Sequence, residues 1–227
     1  MNTVVLCGSL GSTSAMWEAQ QPVLAGRRVV AVEHPGHGGT AVAAVASLPD
    51  LAGRVLDEVG DEPFSFVGLS LGGAIGMQLA LDAPELVERL VLACTSARFG
   101  EPQQWHDRAA TVRAEGLEAI VDAVLARWFT STPDDRWRAM FLSTDPEGYA
   151  RCCEALAAWD ARSSLGAIAA PTLVVAATED PSTPPEQLAA IARAIPGARL
   201  EEIDRAAHLA NAERPDEFNR LLEEHLT

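Results

Sequence analysis

Short apolar runs alternate with amphipathic stretches along most of this 227-residue chain. The runs are rich in β-branched residues, and the stretches between them carry apolar residues at helical spacing. This alternation is typical of a parallel sheet whose strands are joined by helices. The pattern predicts strands at residues 3–7, 27–33, 63–68, 87–95, 171–177 and 198–203. It predicts helices at residues 15–24, 48–59 and 71–82, and two more that begin near residues 185 and 213.

The pattern changes between residues 97 and 165. Strand-like runs are missing there and helical periodicity dominates. We therefore predict that residues 97–165 form a helical cap, inserted into a core made of residues 1–96 and 166–227. The cap sequence holds a cluster of tryptophans, at Trp105, Trp128, Trp137 and Trp159. It also holds eight of the 17 arginines, namely Arg98, Arg108, Arg113, Arg127, Arg136, Arg138, Arg151 and Arg162.

Composition narrows the class of protein and its partners. Apolar residues make up 48% of the chain, which is enough for a sizeable core. No apolar run reaches the ~18 residues of a membrane-spanning helix, and the first residues lack the basic start of a signal peptide. We therefore expect a cytoplasmic protein. The formal net charge of −15 argues against nucleic acid and anionic membranes as partners.

The cysteines and cations exclude several kinds of site. The four cysteines form no C-x-x-C pair and lie beside no histidine at metal-ligand spacing, so we expect buried thiols and no metal. They are Cys7, Cys94, Cys152 and Cys153. All 17 cationic residues are arginine, because the sequence contains no lysine. This excludes Schiff-base catalysis, a pyridoxal-phosphate anchor and the G-K-[ST] phosphate loop.

A loop rich in glycine and serine, CGSLGSTSAMW at residues 7–17, follows the first predicted strand. We call it the opening loop. Such a loop offers backbone N–H groups to an anion, which is either a bound phosphate or the oxyanion of a transition state. The missing lysine weakens the phosphate alternative.

The stretch GLSLGG places Ser70 between Gly68 and Gly72, after a predicted strand and before a predicted helix. This is the G-x-S-x-G pattern in the strand–turn–helix context of a nucleophile elbow. Glycines permit the sharp turn that exposes a serine Oγ, and the helix N-terminus stabilises negative charge nearby. Small residues also occur at such turns for packing alone. The strand and helix on either side favour a nucleophile.

A serine nucleophile needs a base, and the base needs a group that orients it. His208 precedes the last predicted helix and is the candidate base. Asp180 is the candidate acid, and the chain order Ser70, Asp180, His208 is the one that accompanies this elbow. Glu179 and Asp204 remain alternatives. We favour Asp180 because a short carboxylate followed by proline suits a fixed turn.

With a serine nucleophile, the opening loop is assigned to the oxyanion of a tetrahedral intermediate. One donor is then the N–H of Leu71, the residue after the candidate nucleophile. The second is the N–H of Leu10 in the opening loop. The other four histidines receive no catalytic role: His34 and His37 are predicted turn residues, and His106 and His225 are predicted surface residues.

Several stretches resemble the α/β-hydrolase family, and more narrowly the 3-oxoadipate enol-lactonases. They span most of the chain, including the cap: GSLGSTSAMWEAQ, GLSLGGAIGMQLALDAPELVERLVL, ARWFT, MFLSTDPEGYARCCEAL, LGAIAAPTLVVAATEDPSTPP and AAHLANAERPDEF. The resemblance implies an α/β-hydrolase fold with a mostly parallel twisted sheet. It also implies a Ser-Asp-His triad that opens an enol-lactone in aromatic-compound catabolism, without a metal or an organic cofactor.

The implied substrate carries a carboxylate, which an acidic protein must bind with a local cation. Arg127 beside Trp128 is our first choice, and Ser9 is a further candidate contact. An arginine in a surface ion pair of the cap is an equally good interpretation of Arg127.

The chain departs from the family pattern in two places. The usual His-Gly before the oxyanion loop reads Gly8-Ser9 here. Members of the family also usually carry two strands before the first strand of this chain. We expect those two strands to be absent, which leaves the strand at 27–33 at the sheet edge. A homodimer paired across that edge is then expected.

Two other functions stay open at this point. The first is hydrolysis of a different ester, lactone, thioester or carbon–carbon bond, or cofactor-free perhydrolysis, because the pocket and not the triad sets the substrate. The second is a hydrolase-like protein that binds a small molecule or a partner without catalysis. The triad residues argue against the second, since a binding protein does not need all three.

Overall fold

The computed structural model describes residues 3–227. Its strands are β1 (Thr3–Cys7), β2 (Arg28–Val32), β3 (Phe64–Leu69), β4 (Val87–Ala93), β5 (Thr172–Ala177) and β6 (Arg199–Ile203). They form one sheet in the order β2-β1-β3-β4-β5-β6, and each neighbouring pair is parallel. The six predicted strands are confirmed to within two residues at each end.

Nine α-helices are present in residues 3–227. They are α1 (Leu48–Val59), α2 (Leu71–Asp82), α3 (Pro102–Glu115), α4 (Val121–Trp128), α5 (Asp135–Leu142), α6 (Pro146–Ala157), α7 (Pro185–Ala194), α8 (Ala210–Glu213) and α9 (Pro215–Leu226). The predicted bounds of α1 and α2 are confirmed. The last long helix begins two residues later than predicted, at Pro215, because proline favours the first turn of a helix. None of these helices is long and apolar enough to cross a membrane.

The helix predicted over residues 15–24 is wrong in type. The segment forms two 3-10 helices, Ser14–Gln20 and Pro22–Leu24. Pro22 has no N–H to donate, and its ring excludes the carbonyl four residues earlier, so an α-helix does not continue through it. The apolar face still packs as expected, with Trp17 buried.

The core lies on both faces of the sheet. Every residue of β1, β3 and β5 is buried, which explains why these strands are continuous apolar runs and do not alternate. Helix α2 is apolar around most of its circumference because it is enclosed by the sheet and by α1. Because neighbouring strands are parallel, the carboxyl ends of the central strands lie at the same edge of the sheet.

Helices α3, α4, α5 and α6 connect β4 to β5. Residues 94–171 contain no strand. Helices α3 and α6 pack together, and Arg113 of α3 donates hydrogen bonds to Glu147 and Glu154 of α6. The four helices occupy the segment predicted as the cap. The division into a cap and a core domain stays a prediction.

Strand β2 lies at one edge of the sheet, as expected, and pairs with β1 alone within residues 3–227. Its sequence RVVAV is apolar apart from its first residue. The opposite edge is different, because β6 reads RLEEI and its charges discourage pairing with another strand.

We propose that a second copy of the chain pairs with this apolar edge. Light scattering after size exclusion is expected to give a dimer mass at micromolar concentration. Val30→Pro removes a backbone donor of β2 and is expected to shift the population towards monomer. A monomer mass for the unmodified chain contradicts the proposal.

Candidate active site

Ser70 stands on the turn between β3 and α2. Its backbone has φ 59° and ψ −115°, a conformation that an L-residue adopts only under constraint. Two hydrogen bonds supply the constraint. The Ser70 N–H donates to the Ala93 carbonyl at 3.0 Å, and the Thr95 hydroxyl donates to the Ser70 carbonyl at 2.7 Å. The turn is therefore anchored to β4 and to the residues that follow it.

The glycines of this turn are required by close backbone contacts. A Cβ on Gly68 would lie 2.3 Å from the Gly72 carbonyl oxygen, and a Cβ on Gly72 would lie 2.0 Å from the Cys7 carbonyl oxygen. No side chain fits at either position. The turn is thereby pressed against the end of β1, where the opening loop begins.

Asp180 and His208 lie side by side in the interior, 3% and 4% exposed. His208 Nδ1 is 2.8 Å from Asp180 Oδ2. The other contacts of the carboxylate fix its orientation: Oδ1 accepts the N–H groups of Ser182 and Thr183 at 2.8 and 3.1 Å, and Oδ2 accepts the Thr183 hydroxyl at 2.6 Å. Because a carboxylate only accepts, His208 Nδ1 is the donor.

Burial raises the pKa of the Asp180 carboxyl, but the opposing contributions are larger. Electrostatic attraction to the His208 ring and the hydrogen bonds from His208, Thr183 and Ser182 hold this pKa below its usual range. Asp180 is therefore a carboxylate at neutral pH. With Nδ1 occupied, His208 has Nε2 available for a second partner.

The structure separates the three candidate acids. Glu179 and Asp204 are both exposed, and Asp204 accepts the Thr178 hydroxyl at 3.2 Å. Only Asp180 among the three contacts the ring of His208 in the described chain. The preference for Asp180 agrees with this geometry.

Leu10 and Leu71 lie on the two segments that flank Ser70. For neither backbone N–H is a protein acceptor found in the part of the chain that the structure describes. Leu71 is the first residue of α2, where an N–H has no partner within its own helix. The Gly72 N–H donates to the Gly8 carbonyl at 3.0 Å and so fixes the two segments relative to each other.

A cavity of about 490 Å³ opens onto Ser70 and His208. All three predicted substrate contacts line it, and so does Leu10 of the opening loop; the contacts are Ser9, Arg127 and Trp128. The volume is that of a small-molecule site. The structure therefore brings the predicted residues to one place, with Leu71 adjacent to Ser70 in the chain.

The cavity also receives two arginines without an acidic partner. Arg108 and Arg127 line it, and neither forms a salt bridge within residues 3–227. Arg108 packs over the indole of Trp105, 4.8 Å from the ring centroid. The other cap arginines all pair with carboxylates: Arg98 with Glu101, Arg113 with Glu147 and Glu154, Arg136 with Glu18, Arg138 with Asp122, Arg151 with Glu147, and Arg162 with Asp160.

The end of helix α4 is hydrogen-bonded to the loop that carries His208. The His208 N–H donates to the Arg127 carbonyl at 3.4 Å, and the Leu209 N–H donates to the Trp128 carbonyl at 3.0 Å. The backbone of Arg127, one of the two cavity arginines, is therefore hydrogen-bonded to the backbone of His208. Sequence reasoning found Arg127 through its neighbour Trp128. Arg108 was one of the eight cap arginines but was not singled out; its signal was a tryptophan three positions earlier, the spacing of neighbours on one helix face.

Two more residues were assigned too small a role. His34 and His37 do lie in a turn, but both rings are buried and contact the opening loop. The signal in the sequence was the unusual pair of histidines in HPGHGG. His106 is exposed, as predicted, whereas His225 is half-buried.

Residues 4–221 match the alpha/beta hydrolase family. The chain belongs to this family. The hydrolase is 32% identical to 3-oxoadipate enol-lactonase 2 of Acinetobacter baylyi, over 97% of this chain and 86% of the relative. It is 32% identical to a protein of Azorhizobium caulinodans provisionally named a carbamate hydrolase, over 96% of this chain and 89% of the relative.

A solved structure agrees with these sequence matches. The crystal structure of the enol-lactonase from Burkholderia xenovorans LB400 superposes on this hydrolase with a TM-score of 0.94. The two chains are 37% identical, and the match covers 99% of this chain and 91% of the other. The predicted fold class and the resemblance to enol-lactonases are confirmed.

Proposed function

We propose that this hydrolase opens a carboxylated enol-lactone, 3-oxoadipate enol-lactone, to 3-oxoadipate through an acyl-enzyme on Ser70. One observation carries the substrate class. Arg108 and Arg127 are the cap arginines without a carboxylate partner in the described chain, and both line the cavity. An anionic substrate supplies the missing negative charge. The kinship with proteins named 3-oxoadipate enol-lactonases supports this choice of lactone.

The acylation step uses the residues around Ser70. His208 Nε2 takes the proton of the Ser70 hydroxyl as Oγ attacks the lactone carbonyl. Asp180, a carboxylate bonded to His208 Nδ1, fixes the ring and stabilises the imidazolium that forms. The N–H groups of Leu10 and Leu71, which have no acceptor in residues 3–227, hold the oxyanion of the tetrahedral intermediate.

Collapse of that intermediate breaks the ring C–O bond and leaves an ester on Ser70. The oxygen departs as an enolate, so the leaving group needs little acid assistance. The enolate takes up the proton that His208 holds and becomes a ketone, which leaves His208 neutral for the next step. Water then attacks the ester carbonyl while His208 accepts its proton. Release of 3-oxoadipate returns that proton to the Ser70 oxygen and restores the enzyme.

The cap supplies the carboxylate site. A guanidinium binds a carboxylate with two parallel N–H···O bonds, which gives orientation as well as affinity. Arg127 is carried by the same backbone segment that bonds to the His208 loop, so a carboxylate held there has a fixed relation to the nucleophile. Such positioning is the main contribution that a binding group makes to catalysis.

Arg127→Ala and Arg108→Ala are each expected to raise KM for the carboxylated enol-lactone by about tenfold or more, the usual cost of losing a charged hydrogen bond. KM for neutral p-nitrophenyl acetate is expected to change by less than about twofold. Arg138→Ala is the matched control, because Arg138 lies in the same cap and already pairs with Asp122. Initial rates on both substrates provide the measurement.

Equal losses on the charged and the neutral substrate would mean that the two arginines support cap packing, which contradicts the proposed substrate class. The same assay, extended to thioesters, carbamates and other lactones, tests the neighbouring activities of this fold. A fluorophosphonate probe that fails to label Ser70 would favour a binding protein over an enzyme.

A further inference from the structure

The loop that follows β2, residues 33–40, holds the opening loop through two histidines. We call it the histidine loop. His34 Nε2 lies 2.9 Å from the Gly8 carbonyl oxygen. The Gly11 N–H donates to His37 Nε2 at 3.0 Å. Gly8 and Gly11 lie on either side of Leu10, whose backbone N–H has no protein acceptor within residues 3–227.

Each ring has a defined tautomer. His37 Nδ1 is 3.0 Å from the Pro35 carbonyl, which only accepts, so the proton is on Nδ1 and Nε2 is free to accept the Gly11 N–H. His34 Nε2 faces the Gly8 carbonyl, so its proton is on Nε2. One ring thus donates to the opening loop and the other accepts from it.

Burial keeps both rings neutral. His34 and His37 are 3% and 0% exposed. Burial lowers the pKa of His34 to about 4. Burial, together with the neighbouring His34, lowers the pKa of His37 to about 3. At neutral pH His37 therefore keeps the lone pair that the Gly11 N–H needs.

Leu10 lies between the two anchored residues. The Gly8 carbonyl also accepts the Gly72 N–H at 3.0 Å, next to Leu71. A single carbonyl therefore links the histidine loop, the opening loop and the start of α2. Gly11 has φ +85°, and a Cβ there would lie 2.5 Å from the Phe141 ring, so the loop is also confined from the cap side.

The histidine loop is itself supported by α6. The Asp145 N–H donates to the Gly36 carbonyl at 2.7 Å. A Cβ on Gly148 would lie 2.5 Å from the Pro35 carbonyl oxygen, so this helix approaches the loop as closely as a glycine allows. The histidine loop is therefore held by the start of α6, and its two histidines in turn hold the opening loop.

We infer that His34 and His37 are positioning residues, which hold the Leu10 N–H in the direction of the oxyanion. The inference rests on the proposed acyl-transfer function of Ser70. Neither histidine lines the cavity in the described residues, so both act through the backbone of the opening loop and not on the substrate.

The test uses His37→Ala, which removes the acceptor of the Gly11 N–H. We expect kcat/KM for p-nitrophenyl acetate to fall by about tenfold or more, below the 10²- to 10³-fold loss of an entire oxyanion donor. KM should change by less than about twofold. The inhibition constant of phenylboronic acid, whose adduct with a serine mimics the tetrahedral intermediate, should rise by the same factor as kcat/KM falls.

Two comparisons separate positioning from general stability. His37→Gln retains an acceptor oxygen and is expected to recover part of the loss. His225→Ala is the control, because His225, near the end of α9, contacts the Pro171 carbonyl and not the opening loop. A His37→Ala variant with unchanged kcat/KM, or with reduced activity and an unchanged inhibition constant, overturns the inference.

A measurement on the unmodified enzyme applies even if His37→Ala does not fold. Nitrogen-15 spectra should show the proton of His37 on Nδ1 and that of His34 on Nε2. The opposite tautomer at either residue overturns the inference. An unmodified enzyme that neither hydrolyses the ester nor binds phenylboronic acid contradicts the proposed function itself.

Discussion

Ser70→Ala is expected to lower kcat for the enol-lactone by about 10⁴- to 10⁶-fold. The variant removes the oxygen that forms the acyl-enzyme. Alanine keeps a Cβ at the strained turn, so the backbone contacts to Ala93 and Thr95 persist. Ring opening is measured by the ultraviolet absorbance of the lactone.

Binding by the same variant should be unaffected. Trp105 and Trp128 line the cavity, so tryptophan fluorescence reports occupancy without turnover. The dissociation constant is expected to stay within about twofold of KM for the unmodified enzyme when chemistry limits the rate. Ser65→Ala is the control, since Ser65 is buried near the start of β3, at the opposite end of the strand from the turn. A Ser70→Ala variant that keeps more than about a hundredth of kcat contradicts the assignment.

Asp180→Asn is expected to lower kcat by about 10⁴-fold. The side-chain shape is kept, but an amide cannot accept from all the present donors at once. At the position of Oδ1 its NH₂ group would face the N–H groups of Ser182 and Thr183, which are donors themselves. At the position of Oδ2 it faces the His208 ring and forces His208 into the tautomer with the proton on Nε2. Such a ring cannot accept a proton from Ser70.

The two rejected acids provide the controls for this prediction. Glu179→Gln and Asp204→Asn remove exposed carboxylates that do not contact the histidine, and each is expected to change kcat by less than about twofold. Steady-state rates on p-nitrophenyl acetate compare kcat of these variants with that of Asp180→Asn. A larger loss in either control than in Asp180→Asn would mean that the wrong acid was chosen.

The positions of the elbow and of the three triad candidates were predictable because their signals are local. Gly68, Ser70 and Gly72 lie within five residues, and the steric need for each glycine arises in the turn itself. Asp180 and His208 were predicted from their positions in the loops that follow β5 and β6, and the apolar run of β5 marks the first of these loops clearly. The helix over 71–82 was found to the residue for the same reason.

Other features depend on contacts that local patterns do not contain. The acceptor for the Gly11 N–H is His37, 26 residues away, so HPGHGG was interpreted only as a turn. Within residues 3–227 Arg108 is distinguished by the lack of a carboxylate partner, and that depends on how α3 packs against α6. The 3-10 segment before β2 was predicted as an α-helix because its apolar spacing is helical, whereas Pro22 prevents an α-helix from continuing through it.

The central claim is that a carboxylated enol-lactone is the substrate, and its direct test is the rate of ring opening of 3-oxoadipate enol-lactone generated from muconolactone. We expect kcat/KM of about 10⁴ M⁻¹s⁻¹ or more, above that for neutral p-nitrophenyl acetate and lost in Ser70→Ala. Lactone opening no faster than in Ser70→Ala, by an enzyme that hydrolyses the neutral ester, would contradict it.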